Sequence, residues 1–317
     1  MRETLAKKYE QLNAQFSRQL VYRIGLEAGF FSEYNNMILA MLYCLDHKIQ
    51  FKLYSKDANF DKENGWTGFF KPFCAEDHTE TGKVHYRTAN WRFALKRLFK
   101  GQKSAFRSFI PYFLFFKKQL YTQDVFGKCR DVSPRKHYHI PELGIEGNLQ
   151  DACARLIELT WRYNEETEIA VDHYKKRNNL PEQYIGLHIR GGDKSEEADL
   201  LAVDIYIKKA EALSGIRDTF VLTDDYSIIE KLRQHYPEWT FHTLCDTDER
   251  GYFHEKFVEE SAEMKRNKLI KLFASMDILA GASLFIGTFS SNPGMYLGMR
   301  MKQDKVYAVD MPSWRIW

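Results

Sequence analysis

The sequence has few cysteines, few prolines, no long apolar run and little excess charge of either sign. The five cysteines are scattered, odd in number and never at CxxC spacing, which argues against a disulfide framework or a structural zinc site and favours a reducing compartment. Eight prolines and 18 glycines in 317 residues exclude a low-complexity or collagen-like chain. The longest nearly unbroken apolar run, residues 109–116, is far too short to cross a bilayer.

Length and composition indicate a globular protein of two α/β domains, because 317 residues exceed the usual size of one domain. The first twenty residues are polar with helical spacing and contain no apolar stretch typical of an export signal. We therefore expect a cytoplasmic protein. Aromatic residues make up 15% of the chain, and the simplest interpretation is a core rich in rings.

The net charge of +3 conceals a basic aromatic segment, residues 91–121, which holds eight Lys and Arg and no acidic residue. Two interpretations are open for this segment alone. Its rings pack in the core of the first domain while its charges are solvated, or it contacts an anionic surface, such as the inner face of a membrane.

The first half predicts a β-loop-α-β unit, with strands at 19–24 and 49–54 and a helix at 37–45 that Ser32 would cap. Residues 148–177 have the pattern of one long amphipathic helix or a pair. We place the domain boundary after this stretch, which gives domains 1–180 and 181–317.

The second half alternates strands and helices regularly, which predicts a doubly wound parallel sheet. The predicted strands are 184–189, 219–222, 239–244, 284–287 and 306–309, and the predicted helices are 203–213, 227–235, 264–280 and 296–301. Three polar motifs follow the carboxyl ends of these strands, at the edge where such sheets bind ligands.

The first motif, HIRGGDK at residues 188–194, brings Arg190 and Lys194 to a strand end before a glycine turn. A guanidinium can bind a diphosphate with two parallel hydrogen bonds, and the ammonium adds a second charge. The alternative is an ion pair of Arg190 with Asp193 that only fixes the turn.

The second motif carries Asp224 and Asp225 after the strand at 219–222. These carboxylates could cap the next helix, contact a ribose or hold a metal, and the metal interpretation is the weakest because no further ligands are evident.

The third motif, GTFSSNPG at residues 287–294, places Thr288, Ser290 and Ser291 before a helix. Free backbone N–H groups there would bind an anion, whereas the alternative is an ordinary helix cap by Ser291 or Asn292.

In order, spacing and flanking strands, residues 188–194, 221–225 and 285–291 resemble the alpha-1,6-fucosyltransferases. The resemblance is specific from about residue 184 to 301. It implies an α/β fold of GT-B type, with two Rossmann-like domains facing across a cleft. It also implies inverting transfer of L-fucose from GDP-fucose to a glycan hydroxyl, without a metal or another cofactor.

The resemblance also implies residue roles. Arg190 and Lys194 would stabilise the diphosphate, and Glu197 would be the base, with Glu196 left as a solvated neighbour. The implied donor-binding residues are His188, Asp193, Tyr206, Asp224, Asp225, Asp277, Thr288, Ser290 and Ser291.

Two departures from the family pattern affect these implied roles. Gly191 stands where the family usually has a second arginine. The guanine-reading aspartate of the family aligns with Ser275, and Asp277, two residues further on, is our choice for that role.

The partners expected from this resemblance are a GDP-sugar and a glycan or glycolipid acceptor, with the first domain on the acceptor side. Two alternatives remain: a transferase that uses another GDP-sugar, and a non-enzymatic protein that binds nucleic acid or anionic surfaces through residues 91–121. The latter leaves the three strand-end motifs unexplained, so we expect no nucleic-acid partner.

Overall fold

A computed structural model describes residues 2–79, 86–87, 119–133, 136–191, 203–251 and 260–316. The chain divides into two compact units, Met1–Asn164 and Glu165–Trp317. Both are α/β units built on parallel sheets.

Unit 1 holds a parallel sheet with the strand order β2-β1-β3 and an antiparallel pair β4-β5. Its elements are α1 (Arg2–Ala14), β1 (Arg18–Arg23), α2 (Phe30–Asp46), β2 (Ile49–Tyr54), β3 (Gln119–Tyr121), α3 (Thr122–Arg130), β4 (Tyr138–Ile140), β5 (Ile145–Gly147) and α4 (Leu149–Thr160). The predicted β-loop-α-β unit is confirmed, since α2 connects the parallel neighbours β1 and β2.

Helix α2 begins earlier than predicted, at Phe30, and its N-cap is Gly29 rather than Ser32. The reason is an aromatic cluster, because Phe30 and Phe31 are buried and pack against Trp161 with ring centroids 6.2 and 5.9 Å away. Burial of these two rings extends the helix by about two turns beyond its aliphatic stretch. The cluster also confirms, for the described residues, that rings form the core.

Unit 2 is a doubly wound sheet with the order β10-β9-β6-β7-β8, all parallel, as the sequence predicts. Its elements are α5 (Glu165–Arg177), β6 (Ile185–His188), α6 (Val203–Leu213), β7 (Asp218–Leu222), α7 (Tyr226–His235), β8 (Thr240–His242), α8 (Ala262–Gly281), β9 (Leu284–Gly287), α9 (Asn292–Arg300) and β10 (Val306–Ala308). The chain order reverses between β6 and β9, which makes their junction the topological switch point.

The two units meet in the chain at Asn164 and Glu165, whereas the sequence analysis places the boundary after residue 180. The difference is α5, which packs along α8 of unit 2. An ion pair of 3.1 Å between Arg266 and Glu166 joins these two helices. The predicted helical stretch 148–177 is a pair, and the boundary falls between its members.

Most of the basic aromatic segment lies outside the described residues, which resume at Gln119–Tyr121 as β3. Its expected contact with an anionic surface therefore stays a prediction. Within the described part of the chain, no helix combines the length and apolar character needed to cross a membrane.

Candidate active site

The candidate site lies at the carboxyl ends of β6 and β9, where the switch point opens a crevice. These strands pair directly, with Leu187 opposite Ile286. Strand β7 flanks β6 on its other side, and β10 flanks β9. The sheet therefore brings together the loops that carry the three predicted motifs and the loop after β10.

His188 links the first and third motifs. It is the last residue of β6 and only 5% exposed, and its Nδ1 lies 3.5 Å from the hydroxyl of Ser291. Burial, aided by the nearby charge of Arg190 and opposed by that of Asp310, lowers the pKa of His188 to about 3. The imidazole is therefore neutral at physiological pH.

Asp224 and Asp225 hold the loop that follows β6 and the helix that follows β7. The backbone N–H of Gly191 donates to Asp224 Oδ1 at 2.7 Å, and Asp225 caps α7 by accepting from the N–H of Ser227 at 2.9 Å. The cap interpretation is thus confirmed for Asp225. The described residues contain no group of three His, Cys, Asp or Glu that could hold a metal ion.

Gly191 occupies a position with no room for a side chain. A Cβ atom built there would lie 2.8 Å from the Cβ of Asp225, closer than real Cβ atoms approach. The family's second arginine is therefore incompatible with the turn that Asp224 and Asp225 form in this chain. Of the two positions, only Arg190 brings a guanidinium to this strand end.

Side chains accept hydrogen bonds from three of the N–H groups that follow β9. Ser291 caps α9 by accepting from the N–H of Gly294 at 3.2 Å and donates to the carbonyl of Thr288 at 2.9 Å. Pro293 has no N–H to offer. The N–H groups of Phe289 and Ser290 donate to Asp310. The cap interpretation is confirmed for Ser291, and the side chain of Ser290 is exposed.

Asp310 is a site residue that the sequence analysis missed. It follows β10 and accepts from the N–H groups of Phe289 and Ser290, each at 2.9 Å. A single aspartate after a short final strand belongs to no recognisable sequence motif. The signal that could have found it is its place at the carboxyl end of a fifth parallel strand, beside the hydroxyl-rich loop.

Tyr206, a predicted donor contact, lies in the core of unit 2. It is 2% exposed and packs in the same cluster as Ile185 and Ile286. Burial raises its pKa, and the charge of Asp310 adds to that rise. Its position is therefore below the site, near Asp310, rather than at the open edge.

The structure does not bring Asp277 to the other predicted residues. Its carboxylate pairs with Arg300 at 2.6 Å, and the same Arg300 nitrogen donates to the hydroxyl of Tyr296. Arg300 ends α9, and eight residues of helix rise place it about 12 Å along the axis from Asn292. Asp277 therefore pairs with the last residue of α9, whereas Ser291 caps the first turn of that helix.

Three predicted residues, Asp193, Lys194 and Glu197, lie outside the described part of the chain. Their roles stay predictions. Arg190, half-buried after β6, is within it.

The fold is the GT-B-type α/β fold of fucosyltransferases, as the sequence leads us to expect. No protein-family model matches the sequence, and no curated protein matches it. Among solved structures, the chain is similar to NodZ alpha-1,6-fucosyltransferase soaked with GDP-fucose, with a TM-score of 0.56 and 15% identity over 90% of this chain and 93% of that chain.

Two further structures share this similarity. Fucosyltransferase NodZ from Bradyrhizobium has a TM-score of 0.53 and 14% identity, over 89% of this chain and 92% of that one. A mutant of Arabidopsis thaliana FUT1 in complex with GDP has a TM-score of 0.50 and 12% identity, over 94% of this chain and 72% of that one. At such identities the similarity shows the fold.

The low pKa of His188 predicts a loss of stability in mild acid. Its pKa falls from 6.5 to about 3 on folding, so below pH 6.5 the unfolded state binds a proton that the folded state does not, and stability decreases as pH falls. Between pH 7 and pH 5 this group costs about 2 kcal/mol of unfolding free energy.

Urea unfolding at both pH values measures this loss, which should shrink by most of that amount in His188→Gln. The exposed His235 supplies the matched control, His235→Gln, which should behave as the wild type. Equal pH dependence in all three proteins would show that His188 is not a buried neutral group.

Proposed function

We propose that the chain is an inverting fucosyltransferase, which moves L-fucose from GDP-fucose to a hydroxyl of a glycan acceptor without a metal ion. The observation that carries the proposal is the convergence of His188, Arg190 and the Ser290 loop at the switch point. The similarity in fold to NodZ, whose crystals were soaked with GDP-fucose, supports the same donor.

The leaving group requires positive charge at this edge. As the bond from the anomeric carbon to the phosphate oxygen breaks, GDP takes the electron pair and its β-phosphate gains negative charge. Arg190 supplies a forked donor for that charge, and Lys194 supplies a second cation. The exposed hydroxyl of Ser290 adds a neutral donor at the other wall of the crevice.

The neutral state of His188 suits a position beside guanine. A buried imidazolium next to Arg190 would place two cations together without solvent, which the lowered pKa of His188 avoids. The neutral ring is a flat, uncharged group at the end of β6. Stabilisation of the developing charge is then left to Arg190, Lys194 and Ser290.

Glu197 is the proposed base, because the resemblance to the alpha-1,6-fucosyltransferases implies that role for it. The described carboxylates at this edge already have backbone partners: Asp224 accepts from Gly191, Asp225 from Ser227, and Asp310 from the loop after β9. Glu197 would take the proton from the acceptor hydroxyl. The oxygen would then attack the anomeric carbon from the face opposite GDP, which inverts the configuration.

Unit 1 is proposed to bind the acceptor. We place the protein in the cytoplasm. There the basic aromatic segment would contact an anionic membrane that carries a glycolipid acceptor. Each cation near anionic lipid contributes about 1 kcal/mol. We expect co-sedimentation with anionic liposomes at low salt that is lost when Lys96, Arg97, Lys100 and Lys103 are neutralised. Binding that survives this change would assign the segment to the core instead.

Arg190 should be the most sensitive position for donor chemistry. In EDTA, the wild type should release GDP faster from GDP-fucose than from GDP-mannose. Arg190→Ala should lower turnover about a hundredfold or more, because it removes a bidentate contact to the departing diphosphate. Arg190→Lys should recover little, since an ammonium cannot form the fork.

The control for this series is Arg315→Ala, an exposed arginine of the same unit, which should keep normal turnover. Normal turnover in Arg190→Ala would contradict the diphosphate assignment. A strict requirement for manganese would contradict metal independence, and preference for GDP-mannose would select the alternative GDP-sugar.

Glu197→Gln should abolish transfer while leaving the dissociation constant for GDP within about twofold, because the base acts on the acceptor and not on the nucleotide. Glu196→Gln is the neighbouring control and should retain activity. Glycan transfer and calorimetric GDP binding measure the two effects separately. Retained transfer in Glu197→Gln, with loss in Glu196→Gln, would move the role to the neighbour.

A further inference from the structure

Asp310 places a carboxylate where the sequence pattern predicts an anion-binding loop. Its two oxygens accept the N–H groups of Phe289 and Ser290, each at 2.9 Å. They belong to the two residues that follow Thr288, just past the end of β9. A side chain from the neighbouring strand thus holds the donors that a phosphate would otherwise meet.

This contact fixes the orientation of two successive peptide groups. The next turn is closed by Ser291, which accepts from Gly294 and donates to the carbonyl of Thr288. With the backbone held on both sides, the side chain of Ser290 is left exposed. The direction of that hydroxyl therefore depends on Asp310.

Asp310 is negatively charged, and so is the diphosphate that this site is proposed to bind. The charge of Asp310 reaches His188, whose pKa it raises against the effects of burial and of Arg190. A like charge this close to the switch point weakens the attraction for an anionic donor. An asparagine would avoid that repulsion, but its single carbonyl oxygen replaces only one of the two acceptor atoms.

We propose that Asp310 is a positioning residue for the GDP-sugar donor, which holds the loop after β9 so that Ser290 presents its hydroxyl to the diphosphate. This inference rests on the proposed function. Asp310 does not touch the donor, and it acts through the N–H groups of Phe289 and Ser290. Its negative charge is tolerated because both acceptor oxygens are needed.

The test measures GDP binding by calorimetry in the wild type, Asp310→Asn and Asp304→Asn. The exposed Asp304 precedes β10 and gives a matched control, which should bind as the wild type does. Asp310→Asn should raise the dissociation constant for GDP about tenfold, since one N–H loses its acceptor and the loop shifts. A pure charge effect predicts the opposite, tighter binding. Unchanged or tighter binding overturns the proposal.

A double-mutant cycle with Ser290→Ala separates positioning from a general loss of structure. If Asp310 acts through Ser290, the double variant binds GDP no more weakly than the worse single variant. Fully additive losses overturn the proposal, because a structural defect elsewhere would add to the loss of the hydroxyl. The melting temperature of each ligand-free protein reports folding.

If Asp310→Asn fails to fold, the GDP affinity of Asp310→Glu is compared with that of the wild type instead. This variant keeps both carboxylate oxygens but displaces them by one methylene. Weaker GDP binding in that variant supports the proposal, and wild-type affinity overturns it. A wild type that binds no GDP contradicts the proposed function, and the inference fails with it. A wild type that binds GDP, with variants that bind equally well, contradicts this inference alone.

Discussion

The pairing of β6 with β9 is the constraint on which the site depends. Because these parallel strands are neighbours, the chain leaves both at one edge, and the loops that follow them share one crevice. The approach of α8 reinforces the arrangement. A Cβ on Gly186 of β6 would lie 2.8 Å from Leu279 of α8, so the glycine allows the helix to lie closely against the strand.

At this edge of the sheet, the acidic side chains stabilise the protein's own loops, and a basic side chain is left for the ligand. Its described carboxylates serve the backbone: Asp224 and Asp310 hold loops, and Asp225 caps a helix. His188 is kept neutral by burial. Arg190 is the cation that the first motif contributes among the described residues, and the proposed chemistry assigns the departing diphosphate to it. Loops held by internal anions can present a cation and a hydroxyl without rearranging when the donor binds.

Local pattern predicts much of this fold. The bounds of β2, β9 and α6 agree with the sequence analysis to the residue, because each is a compact apolar or amphipathic stretch between polar turns. The start of α2 and the boundary between the units could not be predicted in this way. Both depend on distant partners, which are the rings that bury Phe30 and the surface of α8 that receives α5.

The site residues likewise fall into two groups: those that local pattern predicts and those that depend on distant partners. His188, Arg190 and Ser291 could be found because they lie at or just after the ends of strands that the pattern predicts. Asp277 was chosen because it lies two residues beyond Ser275, where the family's aspartate aligns. Two residues of helix turn a side chain by about 200°, away from the face of Ser275. Asp310 escaped notice because its role exists only once β10 pairs with β9.

The central claim is that the carboxyl edge of the unit 2 sheet binds the diphosphate of a guanosine nucleotide. Calorimetric titration of the wild type with GDP and with GMP tests it most directly. The account predicts one GDP bound per chain and at least tenfold weaker binding of GMP, which lacks the β-phosphate that Arg190 would hold. Equal affinity for the two nucleotides, or tighter binding of an oligonucleotide than of GDP, would contradict it.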